Sequence, residues 1–446
     1  MNTESPLYAE ARSLIKIAVP AVVSQLAQMS MGVIDTIMSG NLGAEALAAI
    51  SVGSNLLMPV IVFTLGIFMA LNPLVAQASG ARLNHLFWGY AIQGSYLALM
   101  LSIPAILLLY ELEPLMNAIG VQPSIIPVVV DYLKAVSLGI IPLLLFLVLR
   151  FINEGLFSTH AIMYVSIGAI PINIGLNYVF MYGYFGVPAY GAVGLGYATA
   201  IVWTLMFISL LIYTLSTEHL HVRSIRQQSL RPNFQKLKEI LTLGIPVALT
   251  VGLEIMMFAV IGLMIGRYAI EIIAAHQIAV NIASITFMVP LGISTAVTAR
   301  VGYARGANSH IGVIRAGYLG LGLSVCFMSL AALIMYSFAT ELISIYNDEA
   351  GVLEIGVGLL YLAAIFQLFD GMQVTAAGAL RGLKDMRYPL IVSFISYWIA
   401  GFPLGYYLAE VSGMGAQGYW AGFISGLGTA AILLNQRFYS LAVKRA

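Results

Sequence analysis

Three acidic side chains, Asp35, Glu254 and Asp370, lie inside apolar stretches long enough to cross a membrane. Glu254 is the only charged residue between Leu249 and Ile265. A charge at the centre of a bilayer costs about 2.5–3.5 kcal/mol on insertion scales, so such residues are functional candidates by default. No Lys or Arg lies within one helical turn of any of the three. We therefore predict that these acids bind a ligand or a proton, the structural alternatives being an interhelical hydrogen bond or a helix end.

The chemistry of these acids points to a small cation. Carboxylates supply the oxygen ligands that hard cations prefer, and a carboxylate removed from water also holds a proton more readily. Glu254 and Asp370 are therefore predicted to bind Na⁺ or H⁺, and the chemistry favours neither ion.

Several neutral residues are candidates for contact with the cation or a substrate. Phe258 follows Glu254 by one helical turn, and its ring offers either a π-face to a cation or ordinary packing. Asn173 and Asn177 are also one turn apart, and both an interhelical hydrogen bond and a role in the cation site are open for them. We expect His276 to make a structural hydrogen bond, because no acid is adjacent to it.

Composition indicates an all-α polytopic membrane protein. Of the 446 residues, 60% are hydrophobic and 9% are charged, whereas about a quarter of the residues of a soluble domain are charged. Twelve apolar stretches have the roughly 20 residues that span a bilayer. We predict spans at about 13–39, 46–80, 86–110, 125–149, 160–182, 190–215, 237–266, 271–305, 311–338, 352–380, 388–409 and 416–440.

The distribution of basic residues predicts the orientation. With both termini in the cytoplasm, every Lys and Arg except Lys134 and Arg267 falls on the cytoplasmic side, as the positive-inside rule requires. Nucleic acid is not an expected partner, because the net charge is only +1 and no basic face is present. The sequence has no phosphate-binding loop, zinc spacing or nucleophile–base pair, so we expect neither an enzyme nor a cofactor.

An internal repeat divides the chain. A shift of 226 residues places Pro20 on Pro246 and Gly66 on Gly292, and it places Gln28 on Glu254. We predict an N-terminal six-helix bundle (1–215), a cytoplasmic linker (216–236) and a C-terminal six-helix bundle (237–446). Both halves start on the same side, so the repeats are parallel, an arrangement typical of transporters that alternate about a central site.

Two other functions are alternatives. An ion channel should line its axis with rings of like residues, and none is visible. A flippase for lipids or glycan precursors would favour a strongly basic cavity for phosphates, and the predicted spans lack one.

Short motifs carry a resemblance to a known family. Val33-Ile-Asp35-Thr-Ile-Met38-Ser-Gly40, Ala274-Ala-His276-Gln277 and Ala379-Leu-Arg381-Gly382, together with the repeat, resemble the multidrug and toxic compound extrusion (MATE) family. The membrane acids make the chain most similar to the NorM branch of bacterial exporters. The resemblance covers about residues 10–440.

The resemblance implies a V-shaped, twelve-helix, monomeric antiporter of the bacterial inner membrane. It would export cationic and aromatic drugs and dyes, driven by Na⁺ or H⁺ entry, and so confer antibiotic resistance. Glu254 and Asp370 match the cation-site acids of the second bundle, with Phe258 as a cation–π neighbour. Asp35 matches a first-bundle acid linked to proton coupling and drug contact, with Asn173 and Asn177 nearby and Gln28 as a further contact. Phe366 stands where some relatives have Tyr, which removes one oxygen ligand.

Overall fold

Helices form almost the whole chain in the computed structural model, which describes residues 6–83, 85–217 and 229–444. Part of the predicted linker, residues 218–228, lies outside the described residues. The α-helices are α1 Pro6–Gly40, α2 Ala44–Phe68, α3 Leu71–Gly80, α4 His85–Tyr110, α5 Glu113–Ala118, α6 Ile126–Ser137, α7 Ile140–Gly155, α8 Thr159–Tyr182, α9 Ala192–Ser216, α10 Phe234–Ile265, α11 Ile270–Gly306, α12 His310–Ser337, α13 Ala339–Ser344, α14 Ala350–Gly382, α15 Arg387–Ser393, α16 Phe402–Tyr406 and α17 Ala416–Tyr439.

The predicted all-α membrane fold is confirmed. Within the three described ranges, ten helical stretches are long and apolar enough to cross a membrane, and the pair α6–α7, bent by 48°, makes an eleventh. The 24-residue α17 is less apolar and occupies the position of the twelfth predicted span. The long second span is two helices, α2 and α3, which meet at Met69 and Ala70.

The eleventh span is not a regular α-helix. Between α15 and α17 it contains π-helical segments at Phe394–Gly401 and Tyr407–Val411, separated by the short α16. π-Helical turns insert an extra residue and are frequent at functional sites. In this span the first π-segment carries Tyr397, which is 1% exposed.

The contacts divide the chain into two compact units. Val23–Ala248 forms one, named here the N-unit, and the residues up to Val22 together with those from Leu249 onward form the other, the C-unit. The two divisions, after Val22 and after Ala248, are separated by the repeat length of 226 residues. They differ from the bundle boundaries predicted at 215 and 237, because α1 and α10 each contribute residues to both units.

One close helix approach in each unit is related to its counterpart in the other unit by the repeat. In the N-unit, a Cβ atom on Gly66 of α2 would overlap the backbone of Ala248 on α10. In the C-unit, a Cβ on Gly292 of α11 would lie 2.8 Å from the backbone nitrogen of Val22 on α1. Small residues at such crossings let two backbones pack directly. Both halves of the repeat therefore contain a contact that only glycine permits.

We predict that Gly66→Ala and Gly292→Ala lower stability by roughly 1–3 kcal/mol each, because the added methyl group overpacks a backbone contact. Thermal unfolding of purified protein in detergent measures the effect. Gly322→Ala is the matched control, since a Cβ there meets nothing within 4 Å. Equal melting temperatures for the three variants would contradict the packing role.

Candidate functional site

Asp370 lies on α14 and is 5% exposed. Its Oδ1 atom is buried and has no hydrogen-bond partner among the described residues. A buried acceptor without a partner costs about 1–3 kcal/mol. This oxygen therefore marks a position where a cation or a proton would be stabilising.

Gln373 extends the same helix face by one turn. The Gln373 Nε2 donates to Tyr397 Oη at 3.0 Å, and the Gln373 Oε1 is a second buried oxygen with no hydrogen-bond partner in the described part of the chain. Tyr397 interacts electrostatically with both Glu254 and Asp370. Two carboxylates, an amide and a phenol thus form one polar centre, named here the C-site.

Glu254 joins the C-site from α10, where its side chain is partly exposed. Its carboxylate interacts electrostatically with that of Asp370, so the structure brings together the two acids that the sequence singled out. Glu254 also interacts with the guanidinium of Arg381. Arg381 was not predicted as a partner of Glu254, because it lies on a different helix, α14, and is far from Glu254 in the sequence.

Arg381 is positioned by a hydrogen bond to Ser294, which lies in the same unit. Its Nη2 donates to Ser294 Oγ at 2.7 Å, and Ser294 Oγ in turn donates to the carbonyl oxygen of Val374 at 2.6 Å. Arg381 is 9% exposed, although the sequence placed it in a cytoplasmic connection. A buried guanidinium needs a compensating charge, and Glu254 supplies one.

Phe258 belongs to a cluster of aromatic rings. Its ring stacks on Phe423 with centroids 4.6 Å apart and meets the edge of Phe366 at 6.0 Å. One face of Phe258 is therefore occupied by Phe423, and its contact with a cation stays a prediction. Phe366 contributes no oxygen to the C-site and packs against Trp420.

His276 makes the structural hydrogen bond that we expected. Trp420 Nε1 donates to His276 Nδ1 at 3.2 Å, and both side chains are buried. The bond satisfies the indole N–H of a fully buried tryptophan.

Asp35 lies in the N-unit with both predicted asparagines. The Nδ2 atoms of Asn173 and Asn177 donate to the same oxygen, Asp35 Oδ1, at 3.1 and 2.7 Å. Both asparagines are buried on α8. The structure therefore groups these three predicted residues into one hydrogen-bonded cluster, named here the N-cluster.

Gln28 is engaged in a different network of the N-unit. Its Oε1 accepts from Arg150 Nη1 at 3.1 Å, and its Nε2 donates to Ser24 at 3.1 Å and to Ser166 at 3.3 Å. Both polar ends of the amide thus have protein partners. Its role as a cation or substrate contact stays a prediction.

The Arg150–Glu154 ion pair is a feature that the sequence analysis missed. Arg150 Nε lies 2.9 Å from Glu154 Oε1, and both side chains are at most 4% exposed. The sequence placed Arg150 in a cytoplasmic connection and did not include Glu154 among the membrane acids. The available signal was the i, i+4 spacing of opposite charges on one helix.

The described residues contain no group of three or more His, Cys, Asp or Glu side chains able to hold a metal ion. A cation in the C-site would therefore need oxygens from neutral side chains as well as from the two acids. The donor set is entirely oxygen, which suits a hard cation.

The all-helical fold, its membrane-length apolar helices and the buried carboxylates define a multi-pass membrane protein with an internal repeat. The family model MatE matches residues 20–179 and 246–407, one match in each half of the repeat. The chain belongs to the MatE family, that of the multidrug and toxic compound extrusion proteins.

Full-length relatives support this assignment. The chain is 38% identical to the multidrug resistance protein NorM of Photobacterium profundum, covering 96% of this chain and 95% of that protein. It is 37% identical to the protein of the same name from Vibrio cholerae serotype O1, covering 97% and 96%. The crystal structure of the eukaryotic MATE transporter AtDTX14 has the same fold, with a TM-score of 0.87 at 19% identity, covering 99% of this chain and 100% of that one.

We predict that Arg150→Met destabilises the protein by roughly 3–5 kcal/mol, because it removes the guanidinium that balances a buried carboxylate. The double variant Arg150→Met/Glu154→Met should be less destabilised than this single variant. Unfolding of detergent-solubilised protein measures both.

The exposed pair of Lys134 and Asp131, 3.8 Å apart, is the control. Lys134→Met should change stability by about 0–1 kcal/mol, as is usual for surface ion pairs. If the double variant loses as much stability as the single variants Arg150→Met and Glu154→Met lose together, Arg150 and Glu154 do not compensate each other.

Proposed function

We propose that this chain is a cation-coupled antiporter that exports cationic and aromatic small molecules by alternating access. It acts as a monomer in the bacterial inner membrane with both termini in the cytoplasm, and Na⁺ or H⁺ entry drives it. Membership of the MatE family and relatives named multidrug resistance proteins support the export of drugs. The pairing of Glu254 with Asp370 supports cation coupling.

The single observation that carries the coupling proposal is the unsatisfied Oδ1 of Asp370, a residue whose carboxylate also interacts electrostatically with that of Glu254. Each of these conditions disfavours an empty, fully ionised site, because like charges repel and a buried acceptor lacks a partner. One bound Na⁺ or proton relieves both. The cation then binds best to the conformation in which these acids are held together.

The fixed charge of Arg381 sets how much cation charge the C-site takes. Glu254 and Asp370 carry two negative charges when ionised, and Arg381 carries one positive charge. The remaining charge is balanced by one monovalent cation. Replacing a neutral oxygen ligand would not change this balance, whereas replacing an acid would.

Coupling follows if cation and drug favour different conformations. A ligand shifts a conformational equilibrium only by its difference in affinity between the two states, and the linkage is reciprocal. Cation binding at Glu254 and Asp370 therefore favours the state that releases drug outward. In the N-unit, Asp35 with Asn173 and Asn177 is the proposed second polar contact for protons or cationic substrate.

The alternative functions have less support. Within the described residues, each buried arginine is balanced by an acid, Arg150 by Glu154 and Arg381 by Glu254. Such compensated arginines are poor binding groups for the phosphates of a lipid or glycan precursor. Downhill ion flux without substrate would favour a channel instead.

We predict that Glu254→Ala and Asp370→Ala each abolish active efflux of ethidium from cells, because each removes a carboxylate of the cation site. Efflux is followed by ethidium fluorescence, with expression and a monodisperse gel-filtration peak as the test of folding. Glu113→Ala is the control, since this acid is exposed at the start of α5. Wild-type efflux by both variants would overturn the assignment of the site.

The choice of coupling ion is tested in proteoliposomes with a Na⁺ gradient or a pH gradient imposed separately. We expect dye transport with at least one gradient and none without a gradient. Asp370→Asn should lose the gradient-driven component. Transport of dye that is equal under all three conditions would contradict antiport.

A further inference from the structure

The C-site contains more oxygen ligands than the two acids. Asp370 Oδ1 and Gln373 Oε1 are both buried acceptors with no hydrogen-bond partner among the described residues. They are spaced i, i+3 on α14, which places them on the same face of the helix, one turn apart. A positive ion bound at this face of α14 would satisfy both acceptors.

The orientation of Gln373 supports a role as a ligand. Its Nε2 is already used, because it donates to Tyr397 Oη at 3.0 Å. The amide is thus anchored through nitrogen and leaves its oxygen available. Gln373 and Tyr397 are 2% and 1% exposed, so water does not explain why two polar groups are placed there.

The backbone that carries Tyr397 is also unusual. Tyr397 lies in the π-helical segment Phe394–Gly401, and this segment packs against α17 through Gly401, where a Cβ would lie 3.0 Å from the carbonyl oxygen of Gly422. An extra residue in a helical turn changes the direction of the side chains that follow. Tyr397, which interacts electrostatically with both carboxylates, therefore lies on a π-helical segment.

We propose that Gln373 is an oxygen ligand of the coupling cation, alongside Asp370, that Tyr397 positions its amide, and that this site takes a hard monovalent cation. The proposal rests on the proposed function, because it extends the same site. Gln373 and Tyr397 are neutral, so the added ligand brings coordination without adding charge. The one-cation balance set by Glu254, Asp370 and Arg381 is therefore kept.

Gln367 provides a matched control on the same helix. It is also a fully buried glutamine, six residues before Gln373. Its oxygen already accepts from Thr286 Oγ1 at 2.8 Å, and its unsatisfied atom is the donor Nε2. A buried amide that offers a donor contributes nothing to a cation site, so its loss separates coordination from packing.

The test is equilibrium ²²Na⁺ binding to purified full-length protein in detergent, with competition by unlabelled NaCl. We expect Gln373→Leu and Tyr397→Phe each to weaken Na⁺ binding by about five-fold or more, because the first removes the amide oxygen and the second removes the hydrogen bond that orients the amide. Gln367→Leu should change it by less than that.

If the wild-type protein shows no saturable ²²Na⁺ binding, the proton is the probe. Proton release on raising the pH is then measured with an indicator dye in weakly buffered solution. A five-fold change in proton affinity shifts the midpoint of proton release by about 0.7 pH unit, and a shift of that size is the criterion for each variant. Each variant is compared only if its gel-filtration peak is monodisperse, and Gln373→Met replaces Gln373→Leu if the latter does not fold.

Asp370→Asn distinguishes failure of this inference from failure of the proposed function. If Asp370→Asn loses binding while Gln373→Leu and Tyr397→Phe bind like the wild-type protein, Gln373 is not a ligand, Tyr397 does not position it, and this inference is wrong. If Asp370→Asn itself binds like the wild-type protein, the cation site of the proposed function is wrong.

Discussion

Charge compensation in a medium without water is the constraint on which this structure depends. An ionised side chain buried among apolar helices needs a partner, and the partner comes from another helix or another turn. Asp35 receives two amide donors, and Glu154 receives Arg150. Asp370 differs, because its Oδ1 has no hydrogen-bond partner among the described residues and the charge that interacts with it is a second carboxylate, that of Glu254. The buried charges of the membrane spans are therefore mostly compensated, and Asp370 is the acid to which a ligand would add most.

The internal repeat explains how two similar bundles differ in chemistry. Gln28 and Glu254 are equivalent positions, and each meets an arginine of its own unit. In the N-unit the charge of that arginine is balanced by Glu154, so Gln28 is neutral and serves as a hydrogen-bonding residue. In the C-unit the carboxylate of Glu254 balances Arg381. Each arginine therefore has one acid to balance its charge, Glu154 for Arg150 and Glu254 for Arg381. Only in the C-unit does that acid also interact with a second carboxylate, that of Asp370.

Helix positions, the repeat and the membrane acids were predictable from the sequence, because apolar length and an isolated acid are both local signals. Glu254 and Asp370 lie together as predicted, and Asp35 lies with Asn173 and Asn177. The partnership of Arg381 with Glu254 was not predicted, because the two residues lie on different helices and their spacing in the sequence gives no sign of it. The π-helical turns around Tyr397 and the division of α1 and α10 between units arise from tertiary packing. No pattern of residue types along the chain marks them in advance.

The contrast between Asp35 and Asp370 indicates how the two units divide their work. Asn173 and Asn177 donate to one oxygen of the Asp35 carboxylate, so this oxygen has hydrogen-bond donors without any cation. The oxygens of Asp370 and Gln373 have no such donors and gain most from a bound ion. A cation entering the protein is therefore stabilised more in the C-unit than in the N-unit. For the proposed antiport, the cation must then bind the C-site oxygens with different affinity in the two conformations of the transport cycle, since a ligand shifts a conformational equilibrium only by that difference.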